Sequence, residues 1–296
     1  MSAAAEAASP LPQPWITCLC ATYGRFSRLR DAISCFLEQD YPNKRMLILN
    51  DAQTPIEIDS GLRSVVTVVN EPKMFDNLGA KRQALLERAE TELVAQWDDD
   101  DLYLPWHLSR TVAALHRPGV DCVKSAGGWS MLGSLLKAGA APPPESLTAK
   151  IQVKGIHHNV FEGTMGFRRE AALKLGGYRL VHSGQAKALL EAFGQVKRQF
   201  VIPDQEPVAG SAPQRTATTV SYVYRWNQAG VGNISAIGNA GNALQRFAAG
   251  NRDFGDGQPL APHDVSMYWP PLLANAKTVL APEDFALFEK RFAALL

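Results

Sequence analysis

The spacing of apolar positions along the chain changes several times, and each change marks an element. Trp15-Ile16-Thr17-Cys18-Leu19-Cys20-Ala21-Thr22 is a short, mostly apolar run, as expected of a strand buried on both faces. After a turn at Tyr23-Gly24-Arg25, the residues Phe26, Leu29, Ile33, Phe36 and Leu37 recur at helical spacing, and Asp40-Tyr41-Pro42-Asn43 breaks that helix. Met46 to Leu49 predicts a second strand ending at Asn50-Asp51, and Val65 to Val69 a third. A helix over Leu78 to Glu90 leads to a fourth strand, Glu92 to Trp97, which runs into Asp98-Asp99-Asp100-Asp101. Strands separated by helices need crossover connections. The pattern therefore predicts an α/β fold: a mainly parallel, Rossmann-like sheet flanked by helices.

Beyond the acid run, Pro105 suits the first position of a helix whose buried face carries Leu108, Val112 and Leu115. Lys137 to Lys150, with Pro142-Pro143-Pro144, reads as an exposed loop. Gly163 to Phe167 leads into a helix from Arg169 to Leu175, closed by Gly176-Gly177. Ala186 to Phe193 predicts another helix, and Val220 to Arg225 alternates like a strand. A Gly- and Asn-rich stretch follows, from Asn227 to Asn242. The last helix starts near Pro282, with Phe285, Phe288 and Phe292 on one face.

Composition narrows the picture only slightly. The chain has 296 residues, 46% of them hydrophobic, which is ordinary for a soluble globular protein. A formal net charge of +1 gives no electrostatic reason to expect nucleic acid or an anionic membrane as partner. Cys18, Cys20, Cys35 and Cys122 have no paired zinc-type spacing and read as reduced core thiols of a cytoplasmic protein. The first 14 residues read as a disordered tail rather than a signal peptide, and no apolar stretch is long enough for a transmembrane segment. Peripheral contact with a membrane stays open.

Ligands of open α/β sheets bind beyond the carboxyl ends of the strands. Three polar groups stand at strand ends here: Thr22-Tyr23, Asn50-Asp51 and Asp98 to Asp101. Successive carboxylates repel, and a divalent cation relieves that repulsion; oxygen-only ligands suit Mg²⁺ or Mn²⁺. Mg²⁺ usually takes one or two carboxylates and completes its shell with phosphate oxygens and water, so the run predicts a metal-diphosphate substrate. The plainer reading is a solvated acidic turn at a helix start. Asp51 can accept from a nucleobase or ribose, or be a simple turn residue. Tyr23 can stack on a base, or pack under its loop. Lys81 and Arg82 can hold a base or diphosphate, or lie on a solvated helix face.

These residues resemble the family 2 glycosyltransferases of the GT-A fold. The resemblance runs from about Trp15 to Leu115 and more weakly through Tyr178. The segment ITCLCATYGRFSRLRDAISCFLEQDYPNKRMLILNDA looks like the family's opening strand, its Thr-Tyr-Asn-Arg-like turn and its acidic strand end. Gly24 stands where the family often has Asn, and Asn50-Asp51 where it often has two Asp. DNLGAKRQALLERAETELVAQWDDDDLYLPWHL looks like its Gly- and Arg-bearing helix followed by an Asp-x-Asp strand end. The resemblance implies a nucleotide-sugar-binding half over residues 15–118 and an α+β acceptor-side half with the C-terminal helices over 119–296.

It also implies roles. Thr22, Tyr23 and Asp51 would contact the nucleoside, with Arg25 and Arg82 nearby. Asp98 would sit at the ribose and metal, and Asp100 would be the principal metal ligand, with Mg²⁺ or Mn²⁺ as cofactor. The donor would be a nucleotide-diphosphate sugar, a UDP-sugar first, and transfer to an acceptor hydroxyl would invert the anomeric centre. Two departures concern catalysis. The family usually carries a Glu-Asp pair after its Gly-Gly-Tyr-like turn, where this chain has Gln185-Ala186. Many relatives have a His after a Tyr-Arg-Trp-like strand, where Asn233 stands. A base would then come from elsewhere, with Glu162, Asp204 and Glu206 as candidates, or the chain binds nucleotide sugars with its chemistry impaired. A nucleotidyltransferase is a third reading, but Ala21 to Arg25 is a poor version of the Gly-rich basic loop it needs.

Overall fold

A computed structural model describes residues 13–132, 151–154, 162–203, 220–226, 257–262 and 264–293. In chain order the elements are β1 (Ile16–Thr22), α1 (Phe26–Leu37), β2 (Lys44–Asn50), β3 (Val66–Asn70), α2 (Leu78–Arg88), β4 (Leu93–Gln96), β5 (Leu102–Tyr103) and α3 (His107–Leu115). There follow β6 (Cys122–Ser125), β7 (Gly128–Leu132), β8 (Ile151–Lys154), β9 (Gly166–Arg168), α4 (Arg169–Lys174), α5 (Gln185–Gln195), β10 (Gln199–Ile202), β11 (Tyr222–Trp226), α6 (Trp269–Val279) and α7 (Pro282–Ala293).

The main sheet has seven strands in the order β10-β6-β9-β4-β1-β2-β3. Every pairing in it is parallel except those of β9, which runs antiparallel to both β4 and β6. The mainly parallel sheet flanked by helices expected from the alternating pattern is therefore present, and it takes strands from both sides of position 118. A smaller sheet, β5-β11-β7-β8, lies beyond β4 in the chain and mixes parallel and antiparallel pairings.

Both faces of the main sheet are covered, which is why its central strands are apolar throughout. Ile16, Cys18 and Cys20 of β1 join one core with α1, α3 and the C-terminal helices, whereas Leu19 joins a second core with α2, α4 and α5. The four cysteines are buried and free. α1 buries Phe26, Leu29, Ile33 and Phe36, the helical stripe of the sequence. Leu108, Val112 and Leu115 face the core from α3, but that helix starts at His107 rather than at Pro105, because Leu104 to His107 first forms a tight turn closed at 2.9 Å. The Gly176-Gly177 stop of α4 is present, Gly177 N donating to the Ala172 carbonyl at 2.9 Å.

Several elements escaped the pattern. β5, β6, β9 and β10 are two to four residues long, too short for a period to show. β7 and β8 form strands at the two ends of a segment read as loop, and α6 was not anticipated. The expectations at Lys137 to Lys150, Asn227 to Asn242, Asn233, Asp204 and Glu206 fall outside the described residues. No helix among the described residues is long and apolar enough to cross a membrane.

Candidate functional site

Parallel pairing sets the carboxyl ends of the central strands side by side. Thr22 is in register with Asn50, and Trp97 N donates to the Leu19 carbonyl at 3.0 Å, so β4 leaves the sheet opposite the middle of β1 and the acid run follows toward the end of that strand. The three strand-end groups meet here through side chains. Thr22 Oγ1 donates to Asp99 Oδ2 at 2.6 Å. Lys81 Nζ reaches back from α2 to Asp51 Oδ1 at 2.5 Å and to the Thr22 carbonyl. Asp51 Oδ2 also accepts from Phe75 N at 3.0 Å. Tyr23 is half-buried in the turn that follows.

The four aspartates have different partners. Asp99, 1% exposed, takes the Thr22 hydroxyl and two donors of the Arg25 guanidinium, Nε at 3.1 Å and Nη2. Asp101, also 1% exposed, takes the Tyr222 hydroxyl and, at 2.9 Å, the Arg225 backbone N–H. Both are tied to the protein on each oxygen. Asp98 Oδ1 accepts from Arg82 Nη2 at 2.9 Å and from Gln96 Nε2 at 3.3 Å, and Asp100 Oδ2 accepts from Arg25 Nη1 at 2.5 Å. Asp98 Oδ2 and Asp100 Oδ1 have no hydrogen-bond partner among the described residues.

This corrects one physical premise. Repulsion within the run does not by itself call for a metal, because Arg25, Arg28, Arg82 and Arg225 surround it. Burial works against ionisation of Asp100, but Arg25, Arg28 and Arg225 outweigh it and hold its carboxyl below the usual carboxylate range. At Asp98 and Asp99 burial wins over Arg82 and Arg25, and both carboxyls are raised. Asp101 is raised furthest, by burial and then by Asp100 and Asp98. The solvated-face reading of Lys81 and Arg82 is also corrected: each is over nine-tenths buried, since each has a carboxylate of the strand ends to pair with.

A short turn over Glu162–Thr164 packs against Asp98. A Cβ on Gly163 would stand 2.7 Å from Asp98 Oδ2 and 2.9 Å from Tyr222 Oη, so a larger residue would displace one of these side chains. Tyr103 bridges the two elements: its hydroxyl accepts from Asp98 N at 2.8 Å and donates to the Gly163 carbonyl at 3.1 Å. The Tyr103 ring stacks on Trp97 with centroids 3.7 Å apart, which fixes the bridge. Glu162 is half-buried; burial raises its carboxyl, Asp98 adds to the effect, and Arg82, Lys124 and Lys187 oppose it. Gln185 and Ala186 open α5, fully covered, and Gln185 Oε1 has no partner among the described residues.

Sequence reasoning missed Tyr103, Gly163, Tyr222 and Arg225 as parts of this constellation. Only the alternation of Val220 to Arg225 pointed toward it, because it placed a Tyr and an Arg on a strand without saying what they face. No group of three or more His, Cys, Asp or Glu side chains suited to a metal occurs among the described residues. Asp98 Oδ2 and Asp100 Oδ1 are two hard oxygen donors without a protein partner among the described residues, a chemistry compatible with Mg²⁺ or Mn²⁺, which fills its remaining positions with phosphate oxygens and water.

The family model for glycosyl transferase family 2 matches residues 17–176, more than half of the chain. The chain belongs to this family. Its sheet is accordingly a GT-A-type arrangement, and the ends of β1, β2 and β4 that form the site all lie in the matched region. No curated protein compared with the chain matches it. Among solved structures, the mannosyltransferase PcManGT from Pyrobaculum calidifontis, in complex with GDP-Man and Mn²⁺, aligns at 19% identity and a TM-score of 0.49, over 98% of this chain and 82% of that one. S. aureus TarS 1-349 in complex with UDP aligns at 14% identity and a TM-score of 0.49, over 71% of this chain and 60% of that one. The same fragment in complex with UDP-GlcNAc aligns at 14% identity and a TM-score of 0.47, over 72% and 59%. The chain thus spans about 60% of the length of that TarS fragment.

Proposed function

We propose that this family 2 member transfers a sugar from a nucleotide-diphosphate donor, a UDP-sugar first, to an acceptor hydroxyl with inversion at the anomeric carbon. The observation that carries the reading is the division within the acid run. Asp99 and Asp101 are engaged on both oxygens, while Asp98 and Asp100 each keep one oxygen open at the end of β4. Asp98 and Asp100 would hold Mg²⁺ or Mn²⁺, which when bound supplies charge stabilisation to the departing diphosphate.

The other roles belong to this chain's own side chains. The nucleoside would lie over the strand ends near Tyr23 and Asp51. The inward-turned Thr22, Arg25 and Lys81 would fix that floor rather than touch the ligand with their polar tips. Arg82 keeps one buried guanidinium nitrogen, Nη1, without a partner among the described residues, and this donor suits a diphosphate oxygen. Glu162 is the base we assign. It stands next to the glycine that packs against Asp98, and burial raises its carboxyl, the direction that strengthens a base.

The second reading, nucleotide-sugar binding with impaired chemistry, is favoured by Gln185-Ala186 at the start of α5, since neither side chain takes a proton usefully. One experiment separates the two. UDP is titrated calorimetrically with and without Mn²⁺, and transfer and hydrolysis are measured with a panel of UDP- and GDP-sugars. Mn²⁺-dependent binding with turnover supports the transferase, and the same binding without turnover supports the second reading. Asp100→Ala should weaken Mn²⁺-dependent UDP binding by at least about tenfold; unchanged binding in that variant removes the metal assignment.

A further inference from the structure

We propose that Arg225 is a positioning residue for the acid run and that Tyr268, at the head of α6, holds it in place. The proposal builds on the metal and nucleotide reading above. Arg225 lies on β11, 7% exposed. Its backbone N–H donates to Asp101 Oδ1 at 2.9 Å and its Nε to the Asp100 carbonyl at 2.5 Å. Three residues earlier on the same strand, the Tyr222 hydroxyl donates to the other oxygen of Asp101. One strand thereby holds the Asp100 carbonyl and both carboxylate oxygens of Asp101, and so restrains the backbone from which the Asp100 side chain leaves.

The rest of the guanidinium is anchored elsewhere. Nη1 donates to Asp31 Oδ2 on α1 and to Tyr268 Oη at 3.2 Å, and the Tyr268 hydroxyl donates to the same Asp31 oxygen at 2.9 Å. The Tyr268 ring lies 5.4 Å from the guanidinium carbon. Neutralising Asp31 would need only the Nη1 contact. The Nε and backbone contacts point at the run, and a planar fork holds acceptors on two elements at a fixed separation as an ammonium cannot. Arg25 holds the Asp100 carboxylate directly, and the backbone that carries it depends on the contact that α1 and the segment preceding α6 make with Arg225. Supporting groups of this kind typically change metal affinity by about 10- to 100-fold when altered.

The test compares wild type, Arg225→Lys, Tyr268→Phe and a core control, Phe193→Leu, which sits in the other core against Phe167. Mn²⁺-dependent UDP affinity, melting temperature and amide hydrogen exchange of peptides covering residues 98–103 are measured for each. Arg225→Lys should lose about 10- to 100-fold in affinity and speed exchange over 98–103, and Tyr268→Phe should do the same to a smaller degree. Phe193→Leu should lower the melting temperature without either change. If Arg225→Lys and Tyr268→Phe melt lower yet match the control in affinity and exchange, the positioning role is overturned. Should Arg225→Lys not fold, Tyr268→Phe decides by the same criteria. If wild type binds neither UDP nor Mn²⁺, the functional reading fails on its own, and unchanged exchange over 98–103 in the variants overturns the positioning role independently.

Discussion

Asp98 leaves 24% of its side chain exposed and Asp100 12%, while Asp99 shows 1%. Neighbours in sequence, these carboxyls differ because the chain leaves the sheet after β4 and turns successive side chains toward different walls. The arginine wall keeps Asp100 ionised, and that suits a ligand for a hard cation. A second buried titratable group sits behind the run. His107 packs edge-on to Trp97 and Tyr103, with Nδ1 at 2.9 Å from Ser221 Oγ. Burial, helped by Arg110, pushes its pKa from the ordinary 6.5 down to about 3. The unfolded chain therefore takes up this proton below about pH 6.5 while the folded chain resists until about pH 3. The stabilisation is complete above pH 6.5 and is lost as pH falls. Between pH 7 and pH 5 that loss is about 2 kcal/mol. In denaturant unfolding at both pH values, wild type should lose about 2 kcal/mol more than His107→Gln; equal losses would contradict the assignment.

At the scale of elements, the Glu162–Thr164 turn is the piece that packs beside Asp98. It is pinned by Ser125 N donating to Thr164 Oγ1 at 3.2 Å and by Tyr103 on the Gly163 carbonyl. Gly163→Ala would push a methyl into the open oxygen of Asp98. Overpacking there should cost about 1–3 kcal/mol of stability. Displacement of the carboxylate should lower transfer up to about 100-fold. Melting and single-turnover transfer measure the two effects, and a variant with wild-type transfer would show that Asp98 is not held by this turn. The turn after β1 shows how much of an element the sequence can declare. Gly24 has a φ of +57°, the left-handed region open to Gly and tolerated by Asn, which accounts for Gly standing where the family often has Asn. Short elements were not legible. In β6 the buried Lys124 breaks the apolar run, so Cys122–Ser125 gives no strand signal.

For the whole molecule, the C-terminal helices complete the core that backs the site. Phe288 and Phe292 are fully buried, their centroids 4.8 Å apart, and both rings contact Trp106, which leads into α3. Phe292→Ala should therefore cost about 3–5 kcal/mol in denaturant unfolding; a loss below about 1 kcal/mol would mean that the C-terminal helices do not share the core. The last helix was readable because Phe285, Phe288 and Phe292 repeat at helical spacing, but its partner surface was not. By itself, the sequence determined the α/β class, since strand and helix periods alternate locally, and the identity of the polar groups at the strand ends. The tertiary structure alone decided which carboxylates stay open and which basic residues offset them. Those outcomes depend on pairings across 30 positions for Lys81 and Asp51, 74 for Arg25 and Asp99 and 194 for Arg225 and Asp31, distances over which no local pattern carries information about what will face what.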